Sequence, residues 1–86
     1  MKILDFDTDT DAGFAWITVP EKRGRGAWTV QCCLNNNGGI VAGDCGHNAG
    51  ICGDNNEAPF AFWGENRCMT ALFKHARSAG ITVIGL

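Results

Sequence analysis

Apolar and polar positions alternate along the first half of the chain, and the pattern changes to a helical period near the end. Residues 2–7 and 14–19 read as strands. The second, Phe14-Ala15-Trp16-Ile17-Thr18-Val19, is rich in the β-branched and aromatic types that suit a pleated, half-buried surface. Pro20 ends it, and Glu21-Lys22-Arg23-Gly24-Arg25-Gly26 follows as a polar hairpin loop. From Ala27 to Leu34 a period of two places Trp28, Val30, Cys32 and Leu34 on one face, with Ala27, Thr29, Gln31 and Cys33 on the other. The Trp28 face is expected in the core. Asn35-Asn36-Asn37-Gly38-Gly39 predicts a turn, because Asn and Gly tolerate positive φ, and Ile40-Val41-Ala42 predicts a short fourth strand.

Gly, Asn and Asp then dominate residues 43–56, a stretch with little to bury and much conformational entropy to lose. Phe60-Ala61-Phe62-Trp63 fits either a strand or the first turns of a helix. Gly64 interrupts any longer helix, and the extended reading is taken. Between Glu65 and Ala79, Met69, Leu72, Phe73, Ala76 and Ala79 recur at spacings of three and four, while Arg67, Thr70, Lys74 and Arg77 fill the opposite side. Gly80 marks the helix C-terminus, and Arg77 complements the dipole in the last turn. Ile81-Thr82-Val83-Ile84 is apolar and β-prone, so it is expected to be paired. The pattern therefore predicts an α+β fold: a small, mainly antiparallel sheet of four to five strands, one C-terminal amphipathic helix packed on one face, and a terminal strand after it.

Length and composition narrow the class. With 86 residues, 45% hydrophobic and 19% charged, residues 1–86 are expected to form a single globular domain of modest stability. The opening Met1-Lys2-Ile3-Leu4-Asp5 lacks a signal-like apolar stretch, and no apolar run is long enough to cross a bilayer. The expectation is a cytoplasmic protein without a membrane partner, in which the five cysteines are mostly buried free thiols.

Four chemistries deserve weighing. Asp5, Asp7, Asp9 and Asp11 fall on alternate positions, so an extended chain puts four like charges on one edge, which favours a partner of opposite sign or a cation. Asp7-Thr8-Asp9-Thr10-Asp11-Ala12-Gly13 resembles the first half of an EF-hand calcium loop. Ala12 then stands where the tight turn wants Gly, and Thr18 where a bidentate Glu belongs, so an acidic edge that deters sheet-to-sheet pairing is the preferred reading. Cys45, His47 and Cys52 offer soft zinc ligands within one loop, with Cys32, Cys33 or Cys68 to complete a tetrahedron, although their spacing is irregular for a structural zinc site. The same loop suggests a thiol nucleophile: Cys45 or Cys52 with His47 or His75 as base and Asp44 or Asp54 as orienter, with no local signature around either cysteine. Finally, Lys22, Arg23 and Arg25 form a basic hairpin tip able to enter a nucleic-acid groove, and Trp16 suits stacking on a base.

No phosphate-binding Gly loop and no G-x-S-x-G elbow occurs. The leading expectation is a small non-enzymatic interaction domain that occupies a surface of a protein partner through Asp5, Asp7, Asp9, Asp11, Lys22, Arg23, Arg25 and Trp16. By analogy with small phage or mobile-element inhibitors, the partner is a host nucleic-acid-handling complex. The alternatives are a zinc-binding or thiol-active protein using Cys45, His47 and Cys52, and a small nucleic-acid-binding module using the basic tip. No cofactor is expected unless zinc is bound, and a homodimer through residues 81–86 is a further expectation.

Overall fold

The structure, a computed structural model, describes residues 1–21, 23–44 and 56–85. Strands β1 (Asp5–Asp9), β2 (Phe14–Pro20) and β3 (Ala27–Cys33) form an antiparallel sheet in the order β1-β2-β3. On the central strand, Ala15, Ile17 and Val19 are fully buried, while Phe14, Trp16, Thr18 and Pro20 are half-buried on the other face. On β3 the Trp28 face does point inward, carrying Val30 and Cys32 into the core. Before β1, Leu4 N–H donates to the Thr18 carbonyl at 2.8 Å although Asp5 is the register partner of Thr18. Two residues thus face one, as in a β-bulge, and Leu4 is turned outward.

The Asn35–Gly39 turn forms as the sequence predicts: Asn35 Oδ1 accepts from the Asn37 and Gly39 N–H groups, both at 2.9 Å. Strand β4 (Ile40–Val41) then pairs in parallel with β5 (Val83–Ile84), separately from the three-stranded sheet. A parallel pair needs a long crossover, which here carries both helices. The five strands therefore divide three and two among the described residues, and the expectation that the terminal segment is paired holds.

Residues 57–64 depart from the extended reading. Glu57–Trp63 is a helix, α1, followed by α2 (Glu65–Ser78), so the described residues hold two α-helices where one was expected. In a strand, Phe60 and Phe62 would share a face and Trp63 would oppose them. In a helix, Pro59 and Phe60 lie four and three residues before Trp63, which brings the three together on the inward side, and Phe62 is left exposed. Pro59 costs no hydrogen bond in the first turn, where the N–H groups have no intrahelical acceptor. The Trp63 Nε1–H donates to the Pro20 carbonyl at 2.9 Å, fixing α1 to the end of β2. Phe62 stands edge-on to both Trp28 and Trp63, with ring centroids 6.1 and 4.6 Å away. Gly64 makes the break with φ of 94°: its N–H caps α1 at the Phe60 carbonyl while its carbonyl opens α2 by accepting from Cys68 N–H.

Helix α2 buries Cys68, Met69, Leu72, Phe73 and Ala76 against the sheet, the stripe expected from its spacing. It ends in a Schellman motif. Ile81 N–H donates to the Ala76 carbonyl and Gly80 N–H to the Arg77 carbonyl, both at 3.0 Å, with Gly80 at φ 89°. A Cβ at Gly80 would meet no atom within 4 Å, so only the left-handed backbone penalises a side chain there. Gly80→Ala is expected to cost about 1 kcal/mol, lowering the melting temperature by about 5 °C. A circular-dichroism melt coincident with wild type contradicts this assignment.

Candidate interaction surface

The cross-strand register composes the outer sheet face in three rows. Asp9 lies opposite Phe14 and Phe14 opposite Cys33; Asp7 opposite Trp16 and Trp16 opposite Gln31; Asp5 opposite Thr18 and Thr18 opposite Thr29. Because side chains alternate, these nine project from the side away from α2. β1 contributes an acid to every row, β2 contributes the two aromatics, and the three acids are exposed at the sheet's edge.

Successive acids on β1 stand about 6.7 Å apart along the strand, and each neighbouring pair repels by about 0.6 kcal/mol in water before screening. Local bonds offset part of this. Asp7 Oδ1 accepts from Thr8 N–H at 2.8 Å, and Asp9 Oδ1 accepts from Ala12 N–H at 3.0 Å, closing the turn that Gly13 N–H completes on the Asp9 carbonyl. The first bond occupies a backbone donor of an edge strand with the chain's own carboxylate, which disfavours the addition of a foreign strand. Asp11 lies in the turn, exposed. The Asp7–Gly13 segment is therefore a strand end followed by a tight turn. Among the described residues, no group of three or more His, Cys, Asp or Glu side chains is placed to hold a metal ion.

Cations collect elsewhere. Arg23 and Arg25 are exposed in the β2–β3 loop, as expected of a hairpin tip, and Lys22 lies outside the described residues. Arg67, Thr70, Lys74 and Arg77 form an exposed stripe on the outer side of α2. Arg67 and Lys74 also rim a shallow groove of about 430 Å³ floored by Met1, Ile3 and Ala71. The chain is thus polarised, with acids and aromatics on the outer sheet face, cations on the outer helix face, and the core between them.

Cys45, His47, Cys52 and Asp54 lie outside the described residues, as does Leu86 at the end of the 81–86 segment. Cys32 and Cys33 are disulfide-bonded, which corrects the expectation of free thiols for both and removes them as zinc thiolates. Cys68 is a free cysteine, buried in α2 with its Sγ 3.7 Å from the Pro59 carbonyl. Burial pushes its thiol up, against a smaller downward pull from Arg67, so it stays protonated and unreactive at neutral pH. His75 is half-buried, donates from Nδ1 to the Ala71 carbonyl at 3.0 Å and stacks on Phe6, a boundary position of the core. β5 spends one edge on β4, and Ile84 remains exposed.

Sequence reasoning singled out Trp16 and overlooked Phe14, although a period of two places both on one face. It also overlooked Asn56, which is fully buried and bonds the Gln31 peptide group. No family model matches the chain, and no curated protein or solved structure matches it either.

Proposed function

We propose that the chain is a small non-enzymatic interaction domain that docks the outer face of its three-stranded sheet on a basic protein surface, of the kind that receives phosphates. The observation that carries this reading is the register that seats Asp7 beside Trp16 and Asp9 beside Phe14 on one face. Trp is a preferred anchor at protein interfaces, and a row of carboxylates steers a cationic partner and sets its orientation. Inhibition would follow from occupying that surface. The disulfides at Cys32 and Cys33 favour an oxidising compartment over the reducing cytoplasm, so the basic partner is sought there.

Asp5→Lys with Asp7→Lys tests the proposal while sparing the Asp9 turn. Wild-type protein used as bait is expected to retain a basic protein at low salt and to lose it progressively as salt rises. The double variant is expected to associate at least tenfold more slowly, with its melting temperature within a few degrees of wild type. Equal association rates for the two baits count against the proposed face.

A further inference from the structure

We propose that the chain pairs with a second copy of itself, each copy seating Leu4 in the groove between residues 1–3 and α2 of the other and setting Asp5 against Arg67 and Lys74 there. The groove, of about 430 Å³, has Met1, Ile3 and Ala71 as its apolar floor, with Arg67 and Lys74 exposed on its rim. Seven residues separate these two cations, so they stand about 10 Å apart along the helix axis. The hollow is shallow and encloses too little of a free small molecule to hold it well. It suits an apolar side chain presented by a folded surface, with a carboxylate beside it to meet the rim. The chain displays that combination itself. Leu4, Phe62 and Ile84 are the large apolar side chains exposed among the described residues, and only Leu4, at 50% exposure, is followed directly by an acid, the exposed Asp5.

Symmetry makes the contact reciprocal. Ile3 lines the groove while Leu4, next in the chain, is turned outward by the bulge opposite Thr18. The inserting side chain and the receiving groove therefore lie on opposite sides of one sheet edge. A two-fold axis running along that edge exchanges the two sides. It brings Leu4 and Asp5 of each copy to the α2 side of the other, so one set of contacts is made twice and the assembly closes as a dimer. Ion pairs exposed to water add little affinity. The buried Leu4 supplies the attraction, and the charges set orientation and salt dependence. The contact is made by side chains and requires no strand pairing at β1, whose Thr8 N–H is already bonded to Asp7 Oδ1. It does not rest on the docking face proposed above, and the purified chain alone tests it.

The test is sedimentation equilibrium of the purified, oxidised chain over a series of concentrations. A reversible monomer–dimer equilibrium is expected at low salt, weakening as salt rises. Leu4→Ser is expected to weaken it about fivefold or more, and Arg67→Glu with Lys74→Glu about tenfold or more, both with melting temperatures close to wild type. Ile84→Ser is expected to leave it unchanged. Mixing Asp5→Lys protein with the Arg67→Glu, Lys74→Glu protein is expected to give dimers that neither forms alone at the same concentration, because opposite charges then meet at both contacts. Overturning results are a monomer at every concentration, a dimer indifferent to salt, to Leu4→Ser or to the charge reversals, a dimer lost on Ile84→Ser, or mixed variants that stay apart.

Discussion

Replacing Asn56 by Ala is expected to lower stability by about 3 kcal/mol, a large share of what a domain of this size has to lose. Asn56 has no exposed surface, and its amide bonds both ways to one residue: Nδ2–H donates to the Gln31 carbonyl at 2.8 Å and Oδ1 accepts from Gln31 N–H at 2.9 Å. β3 is an edge of the three-stranded sheet, so the side chain takes the place that a peptide group of a fourth strand would hold. Truncation loses both bonds and leaves the Gln31 peptide group without those partners in a half-buried setting. Asn56→Asp carries a sharper signature. A carboxylate cannot donate to the Gln31 carbonyl, whereas the protonated acid can, so the folded state raises the carboxyl pKa above its unfolded value near 3.9. Stability in that variant is then retained below about pH 4 and lost as pH rises through the folded pKa. Urea melts at pH 7 and at pH 4 check both substitutions. A midpoint equal to wild type for Asn56→Ala, or no difference between the two pH values for Asn56→Asp beyond that of wild type, refutes this role.

Leu72→Ala is expected to cost a further 3 kcal/mol or so, within the 2–5 kcal/mol range for core truncations. Leu72 is fully buried near the middle of α2, four residues from both Cys68 and Ala76, in the stripe that faces Ala15, Ile17 and Val19 of β2. Alanine is the better helix former, so the loss reports packing and not helix propensity. Lys74→Ala, on the exposed side of the same helix, is expected to stay within about 0.5 kcal/mol of wild type. A small effect at Leu72, or a large one at Lys74, would mean that α2 presents a different face to the sheet.

Much of the fold was legible because local signals agreed with the tertiary outcome. The alternation of β2 and β3, the Asn-Gly turn at 35–39, the apolar stripe of α2 and its Gly80 terminus all appear where the period and the special residues put them. The alternate acids of β1 likewise share the exposed face on which their spacing placed them. Helix α1 was missed because Gly64 was read as forbidding a helix, whereas it separates two. The role of Asn56 was invisible for a different reason. Directly before a helix, Asn reads as an N-cap, yet its side chain makes no cap bond and reaches 25 residues back to Gln31. Local propensity carries no information about a partner that distant. The disulfides at Cys32 and Cys33 were missed for a further reason: free thiols are the default for a chain read as cytoplasmic, and nothing in the spacing of the cysteines marks those two as bonded and Cys68 as a free thiol of the core.

The docking face is tested most directly by amide chemical-shift mapping of isotope-labelled protein against the basic protein that wild-type bait retains. The largest changes are expected on Asp5, Asp7, Asp9, Phe14 and the Trp16 indole, and they are expected to fade as salt is raised. Changes confined to Arg67, Lys74 and Arg77 on the far side of α2, with the sheet face silent, would contradict it.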